Sequence, residues 1–199
     1  NVYSEKEEGP YKENNLTKPK NYYGKTKILI EKILRKNNKY FSNLIILRLF
    51  NVVGYYSDFK YYENKYKFKR IFNIMQNDLY KNKPLKLYYY EKNKKIIFPK
   101  RDFIHINNLC EIHKKIFSYL NSGKNNIILN CGSGVRYSVL QIIKEFEKAI
   151  KRKFKLSFRI TNLNETETIC SDIIMQKKLL KIDIKKKRIY DCIKDYLQL

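Results

Sequence analysis

Leu44-Ile45-Ile46-Leu47, running on through Arg48 and Leu49 into Phe50-Asn51-Val52-Val53-Gly54, decides how this chain is to be read. The first four residues form a short apolar run rich in β-branched side chains, the signature of a buried strand; the segment ending at Gly54 is its exit. Upstream, from Tyr23 to about Asn37, apolar residues recur at Ile28, Ile30, Ile33 and Leu34, a helical pattern. Downstream the alternation continues. Ile71 to Leu79 reads as a helix stopped before Pro84, Leu85 to Tyr88 as a strand, Phe103 to Ile106 as a strand, and Leu109 to Leu120 as a helix ended by Asn121-Ser122-Gly123. Ile127 to Asn130 is a further strand, and Ser138 is placed to N-cap a helix running to about Lys151. Lys153 to Ile160 alternates as a strand, and short helices near 172–180 and 187–197 close the chain. Strands alternating with helices predict an α/β fold. The polar residues 1–21, with Pro10 and Pro19, and the Tyr/Lys-rich residues 55–67 read as loops, and no internal repeat is visible.

The 199 residues fit one domain, or one domain plus part of another. An apolar fraction of 43% is enough for a core and excludes a disordered tail. No run of about 18 apolar residues is present, so no transmembrane helix and no membrane partner are expected. Asn1-Val2-Tyr3-Ser4-Glu5 offers neither a basic n-region nor an apolar h-region and has no initiator Met; the chain reads as cut from something longer, without a signal peptide of its own.

The formal charge of +24 would ordinarily point to nucleic acid or an anionic surface. Its make-up argues otherwise. There are 35 Lys but only 8 Arg, a single Ala at 149, no Trp, 6 Gly and 4 Pro, with Asn, Ile and Tyr in excess. Residues with AT-rich codons replace those with GC-rich codons throughout, and the lysines run from Lys6 to Lys194 without gathering into a stripe. A solvated, compositionally biased surface is expected, with no specific nucleic-acid partner. Cys110, Cys131, Cys170 and Cys192 are widely spaced, and His105 and His113 lack acidic or thiol neighbours at ligand spacing. Reduced thiols, a cytoplasmic location and no metal site are expected.

Two short motifs carry chemistry. Ile127-Ile128-Leu129-Asn130-Cys131-Gly132-Ser133-Gly134 followed by a helix is similar to the opening of a dinucleotide-binding unit. The third glycine would fall at Tyr137, and no acidic residue ends a strand about 20 residues later, so a tight strand-to-helix turn is the competing reading. Tyr23-Gly24-Lys25-Thr26-Lys27 is a Y-x-x-x-K. On a helix, residues four apart share a face, and an ammonium beside a phenol favours the phenolate, which can act as a general base. The spacing alone is uninformative here. Six matches occur, beginning at Tyr23, Tyr56, Tyr61, Tyr88, Tyr90 and Tyr190, where about three are expected by chance.

The surroundings single out Tyr23. Val2-Tyr3, then Asn21 to Lys27 with Glu31, Leu47 to Gly54, Lys100-Arg101-Asp102-Phe103-Ile104-His105-Ile106-Asn107-Asn108-Leu109, and Leu129 to Gly134 with Tyr137 to Leu140 follow in order. Together they resemble the UDP-glucose 4-epimerase family of extended short-chain dehydrogenases/reductases, over nearly the whole chain and as the last two-thirds of such an enzyme. The Arg101-to-Ile106 stretch favours that family over sugar-nucleotide dehydratases. The resemblance implies the C-terminal part of an NAD-binding Rossmann domain (1–55 and 101–125) plus a smaller α/β substrate-binding domain (56–100 and 126–199). It implies 4-epimerisation of a UDP-sugar through a 4-keto intermediate, with NAD as cofactor. Tyr23 matches the catalytic Tyr that takes the proton of the 4-hydroxyl as hydride leaves C4. Lys27 matches the Lys that holds the nicotinamide ribose, and Phe50 lies in the segment touching the cofactor. Asn51 and Arg101 match groups that bind the UDP pyrophosphate, and Tyr88 an aromatic position near the uridine. A homodimer is allowed for.

The chain also departs from the family. The glycine-rich phosphate loop and the N-terminal half needed for the NAD site are absent, and the family's Ser/Thr would fall about two residues before Asn1. Thr161-Asn162-Leu163-Asn164-Glu165 lacks the Arg that the family uses on pyrophosphate, with Arg159 the alternative, and Lys69 stands where Asn is usual. Another nucleotide-sugar epimerase or dehydratase, a non-catalytic remnant and a basic binding module remain the competing readings.

Overall fold

Asn21 ends the N-terminal loop and starts the first helix, α1 (Tyr22–Lys36): its side chain accepts the Gly24 N–H at 2.7 Å. Arg35 and Lys36 occupy the last turn, where cations suit the carbonyl end of the helix dipole. The computed structural model describes residues 2–4, 9–54, 70–123, 126–160, 166–182 and 188–199. The expected loop 55–67, the pairs starting at Tyr56 and Tyr61, Lys69 and the 161–165 segment lie outside them. After α1 come β1 (Ile45–Leu49), β2 (Asn51–Val53), α2 (Ile71–Tyr80), β3 (Leu85–Lys92), β4 (Lys95–Ile97), β5 (Lys100–His105) and α3 (Ile106–Leu120). Then follow β6 (Ile127–Cys131), β7 (Arg136–Ser138), α4 (Val139–Ile150), β8 (Leu156–Ile160), β9 (Thr168–Ile169), α5 (Ile174–Leu180) and α6 (Ile189–Leu197). The alternation of strands and helices is the α/β pattern read from the sequence.

Two compact units result. The first comprises Asn1–Val52, Arg101–Arg136 and Thr168–Lys186. In it β1 and β6 pair in parallel from Ile45 opposite Ile127 to Leu49 opposite Cys131. Leu109, Ile112 and Ile116, one face of α3, pack with Ile104, Leu129, Cys131 and Leu180 into a core. Val2, Tyr3 and Tyr11 form a second cluster, with the two tyrosine rings stacked 4.7 Å apart. The boundary expected at residue 125 therefore moves. Residues 126–136 join the first unit because β6 hydrogen-bonds along β1, and 168–186 because Leu180 of α5 sits in the α3/β6 core.

The second unit comprises Val53–Lys100, Tyr137–Glu167 and Lys187–Leu199. β3 pairs in parallel with β8, and β4 folds back antiparallel on β3 through Asn93 and Lys94, both left-handed at φ 53° and 59°. Ser138 and Gln141 form a reciprocal capping box at the start of α4. Phe72, Phe146, Phe154 and Tyr196 pack edge-on or tilted at 5.4–6.1 Å.

One feature of α1 runs against the sequence reading. Leu29, Ile30 and Ile33 are 57%, 44% and 52% exposed, and the residues of this helix that are buried are Gly24 and Glu31. Ile28 and Leu34 are half-buried, Ile28 against Val2, Tyr3 and Tyr11, so a buried carboxylate and a narrow apolar edge together hold the helix.

Candidate active site

α1 sets Tyr23 and Lys27 one turn apart, and the Lys27 Nζ lies 5.3 Å from the Tyr23 ring centroid. Tyr23 is 66% exposed, so it is not a core aromatic. The end of β1 and the residues after it supply Arg48, Phe50 and Asn51, and β5 supplies Arg101. Tyr23, Lys27, Phe50, Asn51 and Arg101 all line a single cavity of about 600 Å³, with Tyr3, Glu31 and Arg48 also in its wall. The Asn51 amide donates to the Asp102 carbonyl at 3.0 Å, which fixes its orientation.

Tyr88, the sixth expected site residue, belongs to the second unit. It lies on β3, opposite Arg159 of β8 in the parallel register, and is 55% exposed. The structure thus brings Tyr88 beside Arg159, and the other five residues together around the cavity. Tyr190 and Lys194 of α6 reproduce the helical Tyr/Lys geometry, with Nζ 6.0 Å from the ring centroid. The stacked cation is therefore no mark of a site by itself; what distinguishes Tyr23 is the cavity.

Behind the cavity wall sits a buried polar network. The Arg48 guanidinium grips the Glu31 carboxylate with two parallel bonds, Nε to Oε1 at 3.0 Å and Nη2 to Oε2 at 2.7 Å. Its Nη1 donates to the Tyr3 hydroxyl and to the Glu13 carbonyl, each at 3.0 Å. Tyr3 in turn donates to Asn130 Oδ1, and Asn130 Nδ2 donates to the Tyr11 carbonyl at 2.8 Å. Burial is the largest influence on Arg48 and works to lower its pKa, but the bonds and charges of Glu31 and Tyr3 together outweigh it and hold the guanidinium above its usual value. Burial raises Tyr3 in spite of Arg48, which keeps it a neutral phenol. Burial, aided by the charge of Glu13, pushes the Cys131 thiol up to about 12, so it is no nucleophile.

The Gly132-Ser133-Gly134 turn has a different occupation from dinucleotide binding. The Ser133 and Gly134 N–H groups donate to the fully buried Asp102 carboxylate at 2.9 and 3.1 Å, as does the Ser133 hydroxyl at 2.6 Å. Ser171 adds its N–H at 3.0 Å and its hydroxyl at 2.5 Å. A Cβ at Gly132 would lie 2.2 Å from the Ser171 Oγ and 2.6 Å from Asp102 Oδ2. The amides that a pyrophosphate would need already serve a carboxylate, and the tight-turn reading of this motif holds. The sequence reading gave no role to Glu31, Arg48 or Asp102. A single charge inside an apolar strand run, as Arg48 is, was the available signal, because a buried charge demands a partner.

None of the four cysteines forms a disulfide. Among the described residues no group of three His, Cys, Asp or Glu side chains could hold a metal ion, and no helix is long and apolar enough to cross a membrane.

Comparison with known proteins follows the same lines. The model of the NAD dependent epimerase/dehydratase family matches residues 1–132. The UDP-glucose 4-epimerase of Rhizobium meliloti (strain 1021) is 25% identical over 82% of this chain and 50% of its own length. That of Bacillus subtilis (strain 168) is 27% identical over 93% of the chain and 56% of its own length. The chain spans about half the length of these curated relatives. In structure, the UDP-glucose-4-epimerase from Stenotrophomonas maltophila, solved with bound NAD and formylated UDP-arabinopyranose, superposes with a TM-score of 0.80. It does so at 21% identity, over 99% of this chain and 60% of that one. What is shared at that identity is the fold: the C-terminal part of an NAD-binding Rossmann domain with a smaller α/β domain.

Proposed function

The chain belongs to the NAD dependent epimerase/dehydratase family, and from that premise we propose that it carries the catalytic residues of an NAD-dependent 4-epimerase acting on UDP-glucose and UDP-galactose. The observation that carries this reading is the meeting of Tyr23, Lys27, Phe50, Asn51 and Arg101 around one cavity. The Tyr23 phenol oxygen is the acid–base group: as phenolate it takes the proton of the sugar 4-hydroxyl, and as phenol it returns that proton once the 4-keto sugar has turned its other face. The Lys27 ammonium favours the negative charge that develops on the phenol oxygen and holds a ribose hydroxyl. Arg101 binds the substrate pyrophosphate through its planar fork, and Asn51 adds an amide contact. Tyr88, beside Arg159 on the β3/β8 pair, serves the uridine.

Bound NAD would supply reversible hydride acceptance at C4 of the sugar. The residues present suit its nicotinamide end, where the cation of Lys27 and the ring of Phe50 border the same cavity as Tyr23. The Gly132-Ser133-Gly134 turn offers no cradle for its pyrophosphate, because the Ser133 and Gly134 N–H groups are taken by Asp102. The proposal therefore includes a glycine-rich turn supplied from outside these 199 residues; a cytoplasmic setting and no specific nucleic-acid partner belong to the same reading, which also allows for a homodimer. A second reading, a non-catalytic remnant, draws on the absence of Arg from Thr161–Glu165.

The test is interconversion of UDP-galactose and UDP-glucose by the chain joined to an N-terminal half bearing G-x-x-G-x-x-G. Turnover supports the proposal. Full NAD occupancy without turnover of either sugar contradicts it and favours the remnant.

A further inference from the structure

The helix that bears Tyr23 and Lys27 carries a buried ion pair to the neighbouring strand. Leu29, Ile30 and Ile33 are exposed, Ile28 and Leu34 are half-buried with Ile28 against Val2, Tyr3 and Tyr11, and Glu31 is the buried polar side chain of α1. Glu31 lies one turn beyond Lys27 and two beyond Tyr23, on the same face of the helix. Its partner Arg48 is in β1, whose neighbouring β6 pairs with it residue by residue into the core of the first unit. The guanidinium also reaches Tyr3 and the Glu13 carbonyl. One side chain thereby joins the helix, the strand and the N-terminal segment. Glu31 and Arg48 both stand in the wall of the cavity that Tyr23 and Lys27 line.

We infer that the Glu31–Arg48 pair is a positioning device: it sets the height and rotation of α1 on β1, and with them the places of Tyr23 and Lys27 at the cavity. The fork geometry supports this. Two parallel bonds fix the orientation of one group against the other, which a single ammonium contact does not. An apolar stripe packed on a sheet can slide by a rotamer, whereas a bidentate pair at 2.7 and 3.0 Å tolerates little displacement before both bonds are lost. The role of the pair in holding α1 stands by itself; its importance for catalysis rests on the function proposed above.

The test has two arms. Amide hydrogen exchange is measured on the 199-residue chain, on Glu31→Gln, which keeps the shape but loses the charge, and on Arg48→Lys, which keeps the charge but loses the fork. In each variant the amides of α1 should exchange faster by about tenfold or more, while those of α4 stay at wild-type rates. Unchanged α1 exchange overturns the inference, and so does an equal rise in α1 and α4, which would mean general loss of stability. Should a single variant fail to fold, Glu31→Met with Arg48→Met carries the test, since replacing both partners leaves no buried charge unpaired. That pair should melt near the wild type yet still show a loosened α1. In the holoenzyme the same double variant should keep KM within about twofold and lose kcat by about tenfold or more, stability restored but alignment not. Full kcat in a stable double variant overturns the positioning role. If instead Tyr23→Phe leaves turnover intact, the catalytic reading fails, and the exchange result still decides the role of the pair.

Discussion

Replacing Gly132 by Ala should unfold a large part of the stability of the first unit, for a reason visible atom by atom. The new Cβ would stand 2.2 Å from the Ser171 Oγ, 2.6 Å from Asp102 Oδ2 and 2.9 Å from the Ser171 Cβ. It cannot stay without displacing Ser171 or the carboxylate, and Asp102 and Ser171 are both buried. Moving Ser171 breaks the two bonds it gives to Asp102. Hydrogen bonds to a charged group are worth about 1.5–3 kcal/mol each, so the loss is about 3–6 kcal/mol. That compares with a total of about 5–15 kcal/mol for a typical chain. Gly134 and Gly123 provide the scale. Gly134, at φ +70° with Ile173 atoms 3.1 Å from an added Cβ, should lose about 1–3 kcal/mol from strain and crowding. Gly123, at φ +73° in open space, should lose only the strain of a left-handed residue, about 1–2 kcal/mol. Urea unfolding of the three alanine variants, with slopes compared to confirm a common transition, gives the order directly. A Gly132→Ala cost no greater than that of Gly123→Ala would refute the carboxylate-centred account of this turn.

Cys131 is raised from 9.0 to about 12, so the fold holds a proton that the unfolded chain releases. Its contribution is complete below pH 9.0 and is lost as pH climbs toward about 12, by up to about 1.4 kcal/mol per pH unit, and Tyr3 acts in the same direction. Cys131→Ala should flatten the decline in urea midpoint between pH 8 and 10; an equal decline in both chains contradicts this. Lys151 ends α4 at φ 53°, where glycine is unstrained. Lys151→Gly should stabilise by about 0.5–1 kcal/mol, a rise of about 1–4 °C by calorimetry, and a fall in melting temperature would count against the cap geometry. The 199-residue chain by itself should bind NAD⁺ weakly or not at all, since the Ser133 and Gly134 turn amides that a pyrophosphate would need are already bonded to Asp102. A micromolar affinity in a calorimetric titration would overturn that.

The local elements were legible because their signals are local. Asn21, Ser138 and Gln141 are capping residues and they cap. The β-branched run at Leu44 became β1, with β6 beside it in parallel register. The β3–β4 hairpin was missed because its two left-handed turn residues are Asn93 and Lys94, where the recognisable signal would have been Asn-Gly. The boundary at 125 was misplaced because strand order is set by pairing across some eighty residues, which no local pattern records. For the site, ordered motifs named Tyr23, Lys27, Phe50, Asn51 and Arg101, and these do gather at one cavity. Glu31 and Asp102 stood inside those motifs without a role, because their importance lies in burial. An acidic residue on a Lys-rich helix reads as solvated until the fold places Arg48 against it.

The most direct measurement of the central claim is steady-state turnover of Tyr23→Phe beside its melting curve, in the chain completed for NAD binding. Tyr23 is exposed and makes no core, so removing its hydroxyl should leave the melting temperature within about 1 °C of the wild type. Turnover of the UDP-sugar should fall by about 10²–10⁴-fold, the usual worth of a general acid–base group, with NAD still bound. Retained turnover, or a loss of activity matched by a loss of stability, would contradict the assignment of Tyr23 as the base.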